Sequence, residues 1–153
     1  MTEKDSEEAP VREEFSAPDI DWFLQQQVSM ANKKNGFGVS LTLTVGGFLV
    51  SGVLVSGEDY IKDFGDKLAN ALGTHFDDEE IKSSIEESYK MLREGIYSLP
   101  ENERPEPVFI HMKDVRFFTA ASQPIPTQDG MWWRGKMSDV SGFSLGAMNM
   151  SSD

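Results

Sequence analysis

The sequence predicts an α+β fold: an N-terminal helix and a five-stranded, strongly bent open β-barrel that carries an inserted helical hairpin. Three observations carry this. Residues 37–57 (FGVSLTLTVGGFLVSGVLVSG) alternate with period two around a glycine pair. Two amphipathic helical stretches then follow one another between residues 57 and 99. Strand-type alternation returns over the last third of the chain. Five strands with one bent member are enough to roll into a small barrel.

Residues 1–17 read as a disordered acidic tail, since Glu3, Asp5, Glu7, Glu8, Glu13 and Glu14 face only Lys4 and Arg12 and little is apolar. The tail serves either solubility or electrostatic contact with a partner. A single domain is expected over residues 18–149, with residues 57–99 as the helical insertion and residues 150–153 frayed. The first helix is expected from Asp19 to Lys33. Pro18 and Asp19 suit its start, and Ile20, Phe23, Leu24, Val28 and Ala31 form its apolar stripe. Lys33 and Lys34 suit its C-terminal dipole, and Asn35-Gly36 stops it.

Phe37, Val39, Leu41, Leu43 and Val45 alternate with Ser40, Thr42 and Thr44, and Gly46-Gly47 permits a tight hairpin turn. Gly52 within the returning strand marks a bulge or bend. Ser56 and Asp59 form a capping-box-like start for a helix carrying Tyr60, Ile61, Phe64, Leu68 and Leu72, ended by Gly73. Asp77-Asp78 opens a third helix with Ile81, Ile85, Tyr89, Leu92 and Ile96 on one face, closed by Pro100. ENERPEP (101–107) is a stiff polar linker. Strands are then expected at Val108–Thr119, bent near Lys113-Asp114, at Met131–Val140, and at Phe143–Asn149 after a Ser141-Gly142 turn.

Composition narrows the function classes. The 153 residues carry a formal charge of -12 and a sequence pI of about 4.5, and no basic run exceeds Lys33-Lys34. Such a chain repels phosphates and anionic lipid, so neither nucleic acid nor membrane is expected as a partner. With no cysteine, disulfides, thiolate metal sites and thiol nucleophiles are excluded. The acidic N-terminus does not resemble a secretory signal, and Val45–Val55 is too short and broken to span a bilayer as a helix. A soluble intracellular protein is expected.

Candidate chemistry is thin. His75 near Asp77 and Asp78 suits a polar interhelical loop better than a metal site. His111 has no nearby serine or cysteine pattern to activate. No phosphate-binding glycine loop occurs. No catalytic residue, cofactor or metal site is therefore assigned. The most distinctive cluster is Trp132-Trp133-Arg134. Alternation sends Trp132 and Arg134 to one face and Trp133 to the other. One tryptophan is then core, and the other, beside an arginine, is a candidate interaction anchor. The candidate interaction residues are therefore Trp132, Arg134 and, in Phe117-Phe118, Phe118.

Two resemblances add to these readings. VSLTLTVGGFLVSGVLVSGEDY, FIHMKDV and WWRGKMSDV resemble the strand motifs of the Sm-like (SH3-like) barrel fold, with residues 58–99 inserted. The ordered set NGFGVSLTLTVGGFLVSGVLVSGEDY, FIHMKDVRFF and MWWRGKMSDVSGFSLG resembles the gas-vesicle accessory protein U family (GvpU) over most of residues 20–147. That resemblance implies a cytoplasmic, non-catalytic protein assisting assembly or clustering of gas vesicles. The implied partners are shell or other gas-vesicle proteins, and an open barrel's strand edges suit a homo-oligomer. The alternatives are an Sm-like RNA-binding protein and a small ligand-binding or enzyme domain.

Overall fold

The structure, a computed structural model, describes residues 19–120 and 123–148. The acidic tail and the frayed C-terminus expected from sequence lie outside these residues. Helix α1 spans Trp22–Ala31. It starts later than Asp19 because Asp21 is the cap: its carboxylate accepts from the Phe23 N–H at 2.8 Å. Lys33 and Lys34 fall beyond its end, and Asn35 takes a left-handed φ of 62°.

Strands β1 (Ser40–Val45) and β2 (Phe48–Val55) form the expected hairpin, with Gly46 at φ 58° in its turn. Phe37 lies outside β1 and is 67% exposed, so the buried series starts at Leu41. Strand β3 (Phe109–Phe118) pairs with β2, and β4 (Met131–Lys136) pairs with β3. The stretch expected as one strand to Val140 breaks at a 3-10 turn, Met137–Asp139. Met137 is fully buried there, and its N–H reaches the Val108 carbonyl at 3.0 Å. Strand β5 is therefore Val140–Leu145, and Ser141-Gly142 lies inside it instead of forming a turn.

The sheet is antiparallel with order β4-β3-β2-β1-β5. Laid flat, its outer strands would stand about 19 Å apart at the usual spacing. Yet only Met137–Asp139 separates β4 from β5 in the chain, and such a turn spans about 8 Å. The sheet must therefore curl. It does not close, since no ladder joins β4 to β5 among the described residues.

Much of the curl is placed at one bulge. Both β3 ladders slip by one residue around Asp114, which has a φ of 53°. Gly52 lies opposite, where a Cβ would come within 2.8 Å of the Val115 methyl and 2.7 Å of the Lys113 carbonyl. The glycine expected to mark a bend thus makes room for one in the neighbouring strand. After the bulge Val115 returns to the core, beside Ile110 and Met112.

Leu24, Val28 and Ala31 of α1 cover the concave apolar face, packed with Leu41, Leu43, Val50, Leu54 and Met137. Helices α2 (Gly57–Phe76) and α3 (Glu79–Tyr97) meet the opposite face, where Tyr60 packs on His111. Ser56 caps α2 by accepting from the Asp59 N–H at 3.0 Å, and Asp78 caps α3. Helix α2 runs past Gly73 to Phe76 and stops at Asp77, which is left-handed (φ 49°). The two helices lie antiparallel, with Gly65 against Tyr89 and Gly73 against Lys82. No residue of α3 is fully buried; Ile81, Ile85 and Tyr89 are half-buried, and Leu92 and Ile96 are exposed.

A Cβ at position 65 would lie 2.5 Å from the base of the Tyr89 ring, so this glycine permits close helix contact. Gly95, with open space around it, has no such role. Gly65→Ala is therefore expected to destabilise by about 1–3 kcal/mol through overpacking, despite better helix propensity. Gly95→Ala should stabilise by up to about 1 kcal/mol. Urea denaturation midpoints of the two variants check the contrast.

Candidate functional site

Strand β4 delivers the tryptophan–arginine cluster. In register, Trp133 sits beside Met112, and Arg134 beside His111. Trp133 faces the core side and meets Phe117 edge-on at 6.4 Å between ring centres. Trp132 faces the helix pair: its ring centre is 6.4 Å from that of Tyr60, and Lys67 Nζ stands 5.6 Å over it. The structure thus places Trp132 half-buried beside α2, at the sheet edge. Phe118 is half-buried opposite Leu49, about 20 Å along β3 from His111. It is not brought together with Trp132 and Arg134.

Arg134 organises its surroundings. Its guanidinium stacks 4.0 Å from the Phe109 ring centre, and Nη1 donates to His111 Nε2 at 3.1 Å. It forms no ion pair among the described residues; the two that occur, Lys62–Asp66 and Lys67–Asp63, lie on α2. His111 is buried at 5% exposure. Burial first, and the Arg134 charge second, lower its pKa to about 4. The imidazole is neutral at pH 7. Because Nε2 accepts from arginine, the proton sits on Nδ1, a buried group with no hydrogen-bond partner. Tyr97, on α3 against Gly57 and His111, has its pKa raised by burial, an effect opposed by Arg134.

A cleft of about 560 Å³ opens beside this cluster. Its walls are the second half of α1 and the residues just after it (Gln26, Ser29, Asn32, Lys33), the end of α3 (Ile96, Tyr97), residues 101, 102 and 104–109, and His111 with Arg134. The linker forming one wall is pinned. Arg104 donates to the carbonyls of Leu99 (2.9 Å), Asn32 (2.9 Å) and Tyr97 (2.8 Å), and Gln25 donates to the Pro107 carbonyl at 2.8 Å. An apolar groove of about 360 Å³, lined by Tyr60, Ile61, Phe64, Tyr89, Leu92, Ile96 and Arg134, adjoins it. Both volumes are within the range of ligand and peptide sites.

Sequence reasoning found Arg134 and Trp132 but missed Arg104, Tyr97 and the cleft. Arg104 has no signature in the sequence, because its partners are backbone carbonyls and the one on Asn32 is 72 residues away. The cleft suits recognition of a carboxylate or carbonyl by a guanidinium beside apolar walls. Among the described residues no three His, Asp or Glu side chains group as a metal site.

His111 generates a pH prediction. Between about pH 6.5 and about 4 the unfolded chain binds a proton that the folded chain does not, so stability falls as pH falls through this window. The loss attributable to His111 is on the order of 3 kcal/mol. His111→Gln is expected to flatten the pH dependence of the urea midpoint in that window relative to wild type.

A comparison with curated proteins and with solved structures returned no match. No described helix is long and apolar enough to cross a membrane. Against protein families, residues 21–148 match the family described as gas vesicle protein GvpU-like. The match runs from the cap of α1 to beyond β5 and takes in every helix and strand described above. The chain belongs to the gas vesicle protein GvpU-like family.

Proposed function

We propose that the chain is a non-catalytic accessory protein of the cytoplasm that assists assembly or clustering of gas vesicles by associating with itself and touching their shells. Membership of the GvpU-like family supports the vesicle link. The fold reads as an Sm-like open barrel, supported by the strand order and the 3-10 turn between the last two strands, with the helix pair inserted between β2 and β3.

The observation that carries self-association is the pair of open strand edges. Unpaired edge N–H and C=O groups invite another strand unless charges or prolines guard them. Strand β5 (VSGFSL) contains neither. Leu145 is 82% exposed on it, and Phe143 leads to the exposed Phe23 and Trp22 of α1. Strand β4 presents Trp132 and Arg134 near the other edge, residue types that dominate interface energies. A self-associating protein with even a weak shell contact would cluster large particles through avidity.

The reading is tested by sedimenting purified protein with isolated gas vesicles while imaging vesicle dispersion. Saturable co-sedimentation with aggregation is expected. Trp132→Ala should weaken binding about tenfold or more, as a lost anchor does. Leu145→Lys should leave shell binding in place and abolish aggregation by guarding the edge. Wild-type protein that neither sediments with vesicles nor aggregates them would refute the shell contact.

A further inference from the structure

The cleft beside Arg134 has an electrostatic character unlike the rest of the chain. Lys33, Arg104 and Arg134 line it against Glu101 and Glu106, in a protein of net charge -12. Arg104 is committed to three carbonyls, but Arg134 spends one N–H group on a neutral imidazole and meets no carboxylate among the described residues. The remaining donors of its fork are suited to a carboxylate. Ile96, Ile61 and Val108 supply apolar wall.

We propose that this cleft is a docking site for an acidic peptide segment, and that its occupant is residues 7–15 of this same chain, EEAPVREEF. The segment lies outside the described residues. It carries Glu7, Glu8, Glu13 and Glu14 against one Arg12, with Val11 and Phe15 as apolar anchors. Reach permits the contact. The described chain begins at Asp19, and Gln25, six residues on, is bonded to Pro107 in the cleft wall. Three residues before α1 and its first turn separate the two, at most about 15 Å. From Asp19 back to Glu13 the chain can extend about 20 Å. The carboxylates of Glu13 and Glu14 suit the charges of Arg134 and Lys33, and Val11 and Phe15 suit the apolar wall. The tail and Arg134, which sequence offers as two separate contact points, become one device: the segment covers Arg134, and a partner using that arginine must displace it. This inference does not depend on the gas-vesicle reading.

The absence of cysteine makes a direct test clean, because two introduced cysteines are the sole labelling sites. Spin labels at Ser6→Cys and Glu103→Cys in the full chain report the distance from the segment to the cleft rim by pulsed electron resonance. One short, narrow distance population is expected at low salt and at any protein concentration. It should broaden and lengthen in about 1 M salt, where charges are screened beyond about 3 Å. It should do the same in Arg134→Gln and in Glu13→Gln/Glu14→Gln. The tail variant leaves the described residues untouched, so it remains informative if Arg134→Gln disturbs folding. A broad distribution indifferent to salt and to Glu13/Glu14 would overturn the proposal. So would a short population that grows only with protein concentration, since the occupant would then belong to another copy.

Discussion

A left-handed residue in the middle of the sheet, Asp114, sets the shape on which the other features depend. Its bulge slips both ladders of β3 by one position and lets Val115 rejoin the core beneath Gly52. Before the bulge, Ile110 and Met112 face the α1 side while Phe109 and His111 face the helix pair. The bend allows β4 and β5 to stand at opposite edges of one sheet while a single turn links them. Because the sheet curls without closing, it keeps two edges. Those open edges are the feature on which the proposed association with another copy rests.

The two faces of the sheet are built differently. The α1 face is dry: Leu24, Val28 and Leu43 have no solvent exposure. The helix-pair face is polar at its centre, with a neutral histidine, an arginine stacked on phenylalanine and a half-buried tyrosine. Burying the Nδ1–H of His111 without a partner costs stability, on the order of 1–3 kcal/mol for such a group. An apolar residue would pack here more cheaply. The arrangement holds Arg134 at a fixed place in a cleft wall, consistent with a surface kept for recognition.

Much of this was legible in the sequence, for local reasons. Alternation around Gly46-Gly47 identifies the first hairpin because period and turn chemistry agree. The caps at Ser56 and Asp78 are likewise local, since each side chain bonds a neighbouring N–H. The α2 and α3 stripes announce amphipathic helices but not how little of α3 is buried, because exposure depends on what packs against it. The β4–β5 boundary is hidden in the sequence because Met137 and Val140 continue an apolar pattern through a turn that buries Met137. For the site, alternation separated Trp132 and Arg134 from Trp133. It could not place Tyr60 and Lys67 over Trp132, nor Arg104 against the Asn32 carbonyl, since those contacts join residues far apart in sequence. Phe118 shares a strand with the site and lies at its far end.

The central claim is that open strand edges let copies of this chain associate. The most direct measurement is molar mass by light scattering on the purified full-length protein over a wide concentration range, with Leu145→Lys alongside. The account predicts masses above the 17.1 kDa monomer that rise with concentration, and a shift toward monomer in the variant. A wild-type protein that stays at monomer mass throughout would contradict it.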